Sequence, residues 1–386
     1  MISNVDLEYK PDIIDPPIET NKQISKTVPI SDIVEINDVR NIHDFKSTSF
    51  SEYKKTDVKR KIIESLLSEN VEPSCYWCCE LLCAGHFGDV WEIILYYISK
   101  YIHLGNPKIV IYIEMRYNIF RNIMNQGTFI SDLDARNHQS IRKLFAEIIC
   151  VLTLSPKKPS IELTKIKSEI EFDIVHMSTK LKANNIEYIR ESFLEKDPRE
   201  LFIAMNEFAF SLSSNEKNMS YACYWIEWIL EFEALCKKRK QVLKCEARNY
   251  KVEKKFRTNV IWLLWDIILD YAELTKNPMI IKCIHSIKNL FLIKFTEGTP
   301  KKRKYLIYYA IQLITEKVNF NVTILPDKNI IQNITSQIDT IYKQIKKNEI
   351  PPKTEYLFNG LDKKKSIEKS LKQLEVLNKM ENINEK

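Results

Sequence analysis

The chain has 386 residues, 45% of them hydrophobic and 28% charged, with a net charge of +7. That length suits one large or two ordinary domains with ample material for a core. Six glycines against 58 lysines and arginines argue against glycine-rich phosphate loops and folds built on many tight turns, and favour helices.

No run reaches the ~18 apolar residues of a membrane span, and Met1-Ile2-Ser3-Asn4-Val5-Asp6 lacks the basic-then-apolar pattern of a signal peptide. A soluble, unexported chain is expected, with no membrane partner. Residues 1–57 hold four prolines, singly spaced apolar residues, seven basic and eleven acidic groups. Such a segment does not bury enough apolar surface to offset its ordering entropy, so an acidic, mostly disordered arm is predicted there.

From Val58 the spacing turns helical: Val58, Ile62, Ile63, Leu66 and Leu67 make one stripe. Further helices are predicted over Ser74–Ala84 before Gly85, from Asp89 to Ile98, through Arg116 to Met124, and over Ser140–Leu154. Residues 160–197 have weak periodicity and leave a strand pair or irregular helices open. Pro198 opens another helix, and Tyr305–Glu316 and Ile330–Lys346 follow. After Pro351-Pro352, a linker leads to a Lys- and Glu-rich amphipathic helix over Lys363–Lys379.

Several strings recur in order. Cys75-Tyr76-Trp77 reappears as Cys223-Tyr224-Trp225, and Trp91-Glu92-Ile93-Ile94-Leu95 as Trp265-Asp266-Ile267-Ile268-Leu269. Tyr97 matches Tyr271, Asn106-Pro107 matches Asn277-Pro278, and Phe120 matches Phe291. These pairs predict a duplicated three-helix unit near 74–124 and 220–296, with Trp77 and Trp225 at equivalent core positions. The expected fold is all-α, stacked helical hairpins of the α-solenoid type. Its helical units span 58–212 and 213–350, and the second carries a basic insertion at 236–257.

Cys79, Cys83 and His86 are the weak candidates for a metal. Cys75 and Cys83 would lie about 12 Å apart along one helix, so small buried thiols at a helix contact are the plainer expectation. All nine cysteines are read as reduced. No histidine stands in a catalytic context, and no cofactor is expected. Glu80, Glu92 and Asp266 sit on otherwise apolar helices and need partners, for which Arg116 and Arg121 are expected.

Charge says more. Lys237, Lys238, Arg239, Lys240, Lys244, Arg248, Lys251, Lys254, Lys255 and Arg257 face two glutamates in the same stretch, and Lys301-Lys302-Arg303-Lys304 forms a second run. Such clusters bind phosphate backbones or acidic protein surfaces. Aromatic residues among them are limited to Tyr250 and Phe256, which speaks against a single-strand stacking platform. Tyr308, Leu313 and Ile314 fit a Tyr-x4-Leu-apolar pattern that resembles the cap-binding-protein docking motif of translation-initiation scaffolds.

The strings Glu72-Pro73-Ser74-Cys75-Tyr76-Trp77-Cys78-Cys79-Glu80 and His103-Leu104-Gly105-Asn106-Pro107-Lys108 resemble those of proteins encoded by giant nucleocytoplasmic DNA viruses of protists. Phe202-Ile203-Ala204-Met205-Asn206-Glu207-Phe208-Ala209 and Tyr224-Trp225-Ile226-Glu227-Trp228 extend the resemblance over about 57–350. It implies a viral protein acting in the host cytoplasm, in a viral factory or a virion, and brings no activity or site residues. The function expected is therefore a non-enzymatic viral scaffold that binds protein partners, with a basic patch for an acidic protein or nucleic acid. The alternatives are a nucleic-acid-binding accessory factor in replication or transcription, a translation-initiation scaffold, and a Cys/His metal enzyme.

Overall fold

The stripe that begins at Val58 is the inner face of α1 (Lys55–Leu67), where Val58, Ile62 and Leu66 are buried at four-residue spacing. The computed structural model describes residues 34–351, apart from 128, 130, 164 and 326. Three residues after α1 the chain turns back as α2 (Val71–Cys83), and the two form the first hairpin. Gly85 ends α2 at φ +77°. The His86 amide reaches the Leu81 carbonyl at 2.9 Å and the Gly85 amide the Leu82 carbonyl at 3.0 Å, the double bond of a left-handed helix terminus. A side chain at Gly85 would also meet Leu133 at 3.1 Å.

α3 (Phe87–Tyr97) runs into a π turn, Ile98–Ile102, and a short 3-10 turn, before α4 (Ile109–Gln126) and α5 (Gln139–Leu154). Short α6 (Ser168–Glu171) and α7 (Ile174–Ser178) follow. The second half comprises α8 (Phe202–Leu212), α9 (Met219–Lys238), α10 (Ile261–Leu274), α11 (Pro278–Phe291), α12 (Thr299–Lys302), α13 (Lys304–Thr315) and α14 (Lys328–Lys346). Asn277 caps α11 by accepting from the Met279 and Ile280 amides, with Pro278 as first helical residue. Among the described residues there is no strand, and one isolated antiparallel bridge joins Thr48 to Lys54. The fold is all-α, a stack of helical hairpins.

α13 lies at the centre. Every residue from Leu306 to Ile314 is buried, the pattern of a helix covered on all sides. Its neighbours are α9, α10, α11 and the π turn after α3. α14 turns Ile331, Ile338, Ile341, Tyr342 and Ile345 inward and lies on α2 and α5. There the Arg142 guanidinium sits 4.0 Å over the Tyr342 ring and pairs with Asp339 at 3.0 Å.

Three expectations change. Disorder is predicted over 1–57, but the stretch from Glu35 onward belongs to the packed body. Ile36, Phe45 and Phe50 are buried, and Arg40 stacks over the Phe45 and Phe50 rings at 4.7 and 4.9 Å. This irregular chain has its polar groups satisfied by side chains far along the sequence. Asn137 exchanges two hydrogen bonds with Ile36, and the buried Glu80 carboxylate accepts from Ser49 and Ser51. Glu80 thus finds its partners in this segment, not in Arg116 or Arg121. Residues 1–33 and the predicted helix over Lys363–Lys379 lie outside the described residues.

The division at 212/213 is not a domain boundary: α8 and α9 form a tight hairpin across it, and α4 of the first half lies against α11 of the second. Finally, the recurring strings fall at the same places in their helices. Cys75 and Cys223 are the fifth residues of α2 and α9, and Trp91 and Trp265 the fifth of α3 and α10. Their surroundings differ. α2 lies among α1, α3, α5 and α14, whereas α9 lies chiefly on α8 and α13. Trp225 is fully buried and Trp77 is half-buried, so the two are not equivalent core positions.

Candidate functional site

The sulfur-rich face of α2 points into the core. All nine thiols are free and buried, and burial pushes the Cys75, Cys78, Cys79 and Cys83 thiols far above their usual ionisation range. His86 does not join them. Its Nε2 lies 2.7 Å from the Phe45 carbonyl and 2.9 Å from that of Thr48, so this nitrogen donates to the N-terminal segment. Among the described residues no group of three or more His, Cys, Asp or Glu side chains is placed to hold a metal, so Cys79, Cys83 and His86 do not assemble a centre. A thiol reagent such as Ellman's is expected to label none of the nine cysteines in the native protein and all nine in denaturant, because the thiolate is the reactive form.

The Tyr308–Ile314 pattern is also interior. Tyr308, Leu313 and Ile314 are buried, and Tyr308 donates to the Glu227 carboxylate, which Lys304 meets at 2.7 Å. A partner has no access to this motif.

The run at 301–304 is split between a seam and the surface: Lys301 and Lys302 are exposed, and Arg303 turns inward between helices. Arg303 is buried, pairs with Glu92 of α3 at 2.5 Å, and donates to the Phe291 and Ile293 carbonyls at the end of α11. Lys302 also reaches Glu92, and Lys301 reaches Glu231. Glu92 therefore takes its counter-charge from residue 303, and Arg116 pairs with Glu147 at 2.6 Å.

The insertion after α9 is different. Residues 239–260 are irregular but folded onto α10: the Cys245 amide bonds to the Thr258 carbonyl at 2.9 Å and the Arg248 amide to that of Arg257 at 3.1 Å. Arg248 is the pin. Its guanidinium grips both carboxylate oxygens of Asp197, at 2.9 and 2.7 Å, donates to Asp266 and to the Ser192 carbonyl, and has a side chain only 5% exposed. Tyr250 stacks on Trp262 with ring centres 4.5 Å apart and donates to Asp266 at 2.7 Å. Phe256 packs edge-on against Phe295.

The two carboxylates under this arginine behave oppositely. Burial pushes the Asp197 carboxyl up, but the Arg248 guanidinium and the Leu194 and Glu246 amides outweigh it and hold the group below the ordinary carboxylate value. Asp266 is raised, because burial outweighs its bonds from Tyr250 and Arg248.

With Arg248 and Arg303 inside, the exposed cations of the insertion that form no ion pair among the described residues are Lys238, Arg239, Lys240, Lys244, Lys251 and Lys254. Lys237 pairs with Glu297 and Lys255 with Glu253, both at exposed positions where such pairs contribute little. Arg257 is half-buried. Lys251 also lines a cavity of about 350 Å³ together with Arg121 of α4 and Lys294 just past α11. Sequence reading missed Arg121 and Lys294 as members of this surface, since each is a lone cation in its own stretch and only the α4–α11 contact brings them to Lys251.

Comparison with protein families, curated proteins and solved structures finds no match to the chain. No helix of the described residues is long and apolar enough to cross a membrane.

Proposed function

We propose that the protein is a non-enzymatic helical scaffold that docks an acidic protein partner on the folded insertion at 238–254, in the cytoplasm of a virus-infected host. The observation that carries this reading is the Arg248 pin. A loop fixed by a buried guanidinium between Asp197 and Asp266 holds six exposed cations on a formed surface, so little loop-ordering entropy is lost when a partner binds. The viral setting rests on the resemblance of the quoted strings alone.

An acidic protein is favoured over nucleic acid because both aromatic rings of the insertion turn inward, Tyr250 onto Trp262 and Phe256 onto Phe295. No ring of the loop is left for base stacking, and lysines on flexible stems suit a carboxylate-rich surface without base readout.

Replacing Lys238, Arg239, Lys240 and Lys244 together by Glu tests this. A polyglutamate peptide is expected to bind the wild type in a salt-sensitive manner and the variant about tenfold or more weakly, with folding stability changed by no more than ~0.5 kcal/mol. Tighter binding of duplex DNA than of polyglutamate, lost in the same variant, would replace the protein partner by nucleic acid. Unchanged peptide binding would remove the surface from consideration.

A further inference from the structure

We propose that the cavity between α4 and α11 is a phosphate site, which on the reading above receives a phosphorylated side chain of the acidic partner. Four residues of α4, Glu114, Tyr117, Asn118 and Arg121, line it at the three- and four-residue spacing of one helix face. Asn289, Lys294 and the apolar residues between them close the other side, and Lys251 enters from the insertion.

The charge balance points to a dianion. Arg121, Lys251 and Lys294 bring three positive charges, and none of the three side chains forms an ion pair or hydrogen bond among the described residues. Glu114 is the one carboxylate of the lining, and its Oε1 already accepts from the Asn289 amide at 2.6 Å. A lining of three cations and one anion complements the −1.5 to −2 charge, roughly, of a phosphate monoester at neutral pH.

The surroundings strengthen the match. Leu290, Leu292 and Ile293 form an apolar wall, and low-dielectric walls focus the field of charges beside them. Tyr117 and Asn118 add neutral donors. At about 350 Å³ the cavity lies at the small end for ligand pockets and has room for a phosphoryl group. Lys294 stands at φ +43°, a backbone conformation glycine adopts at lower cost.

Isothermal titration at low ionic strength tests the site with three probes: inorganic phosphate, an acidic peptide containing one phosphoserine, and the same peptide with serine. Inorganic phosphate is expected to bind at a single saturable site, and the phosphopeptide about tenfold or more tighter than its serine counterpart. Arg121→Gln with Lys294→Gln should abolish that difference, whereas Lys238→Gln with Lys240→Gln should keep it while weakening both peptides alike. Thermal melts confirm that both variants are folded. Absence of saturable phosphate binding in the wild type would overturn the proposal, as would equal loss in the two double variants, which would mean a diffuse field. If polyglutamate fails to bind while inorganic phosphate still does, the scaffold reading falls and the cavity stands as a site for free phosphate. If phosphate binds but the two peptides bind alike, the phosphorylated partner is excluded.

Discussion

Replacing Arg248 by methionine lowers folding stability by about 3–5 kcal/mol, the cost of leaving a buried charge without its partner. Asp197 has no exposed side-chain surface and loses both bonds from the guanidinium. The loop is released at the same time, so trypsin cutting within 244–257 rises relative to wild type. Urea titration and limited proteolysis give the two readouts, and a variant as stable as wild type would show that the loop is held by other contacts.

The acidic partners of Arg248 separate by pH. The depressed Asp197 carboxyl contributes stability that is full above its unfolded value, ~3.9, and lost as the pH falls through its lower folded value. The raised Asp266 carboxyl works the other way: its contribution is present below the unfolded value and lost as the pH rises through the folded one. Asp197→Asn is therefore the more damaging change at neutral pH, and its penalty relative to wild type shrinks in acid.

Trp225→Ala is expected to cost about 3–5 kcal/mol, whereas Trp77→Ala costs clearly less. Trp225 is fully buried among Tyr221, Tyr224 and Trp228, so its removal leaves a cavity. Trp77 meets Tyr53 and Tyr76 and remains half-exposed, where neighbours and water fill the space. Equal losses in denaturant titrations would restore the equivalence that the shared Cys-Tyr-Trp strings suggest.

Local signals in the sequence were sufficient for the helices. The predicted Ser140–Leu154 and Ile330–Lys346 become Gln139–Leu154 and Lys328–Lys346, since apolar periodicity and caps are written in neighbouring residues. The segment after Glu35 carries no periodicity and gains its order from residues about a hundred positions away, as in the Ile36–Asn137 bonds. Charge was legible as a count but not as a location. Arg248 and Arg303 stand among lysines that stay outside, and what takes them inward is Asp197, 51 residues earlier, and Glu92, 211 residues earlier. A basic run in sequence does not distinguish a guanidinium that clamps two carboxylates from an ammonium left in water.

The position of α13 along the chain governs when the protein is able to fold. Its residues complete the core beneath α9, α11 and the π turn after α3, yet they come roughly two hundred residues after α3. At a synthesis rate of ~5–20 residues per second, the inner faces of the earlier helices stay uncovered for on the order of ten seconds or more. A nascent chain of this protein thus carries a wide apolar surface until residue 315 has left the ribosome. Fragments ending before that point lack the helix that would bury it, and they expose what holdase chaperones bind.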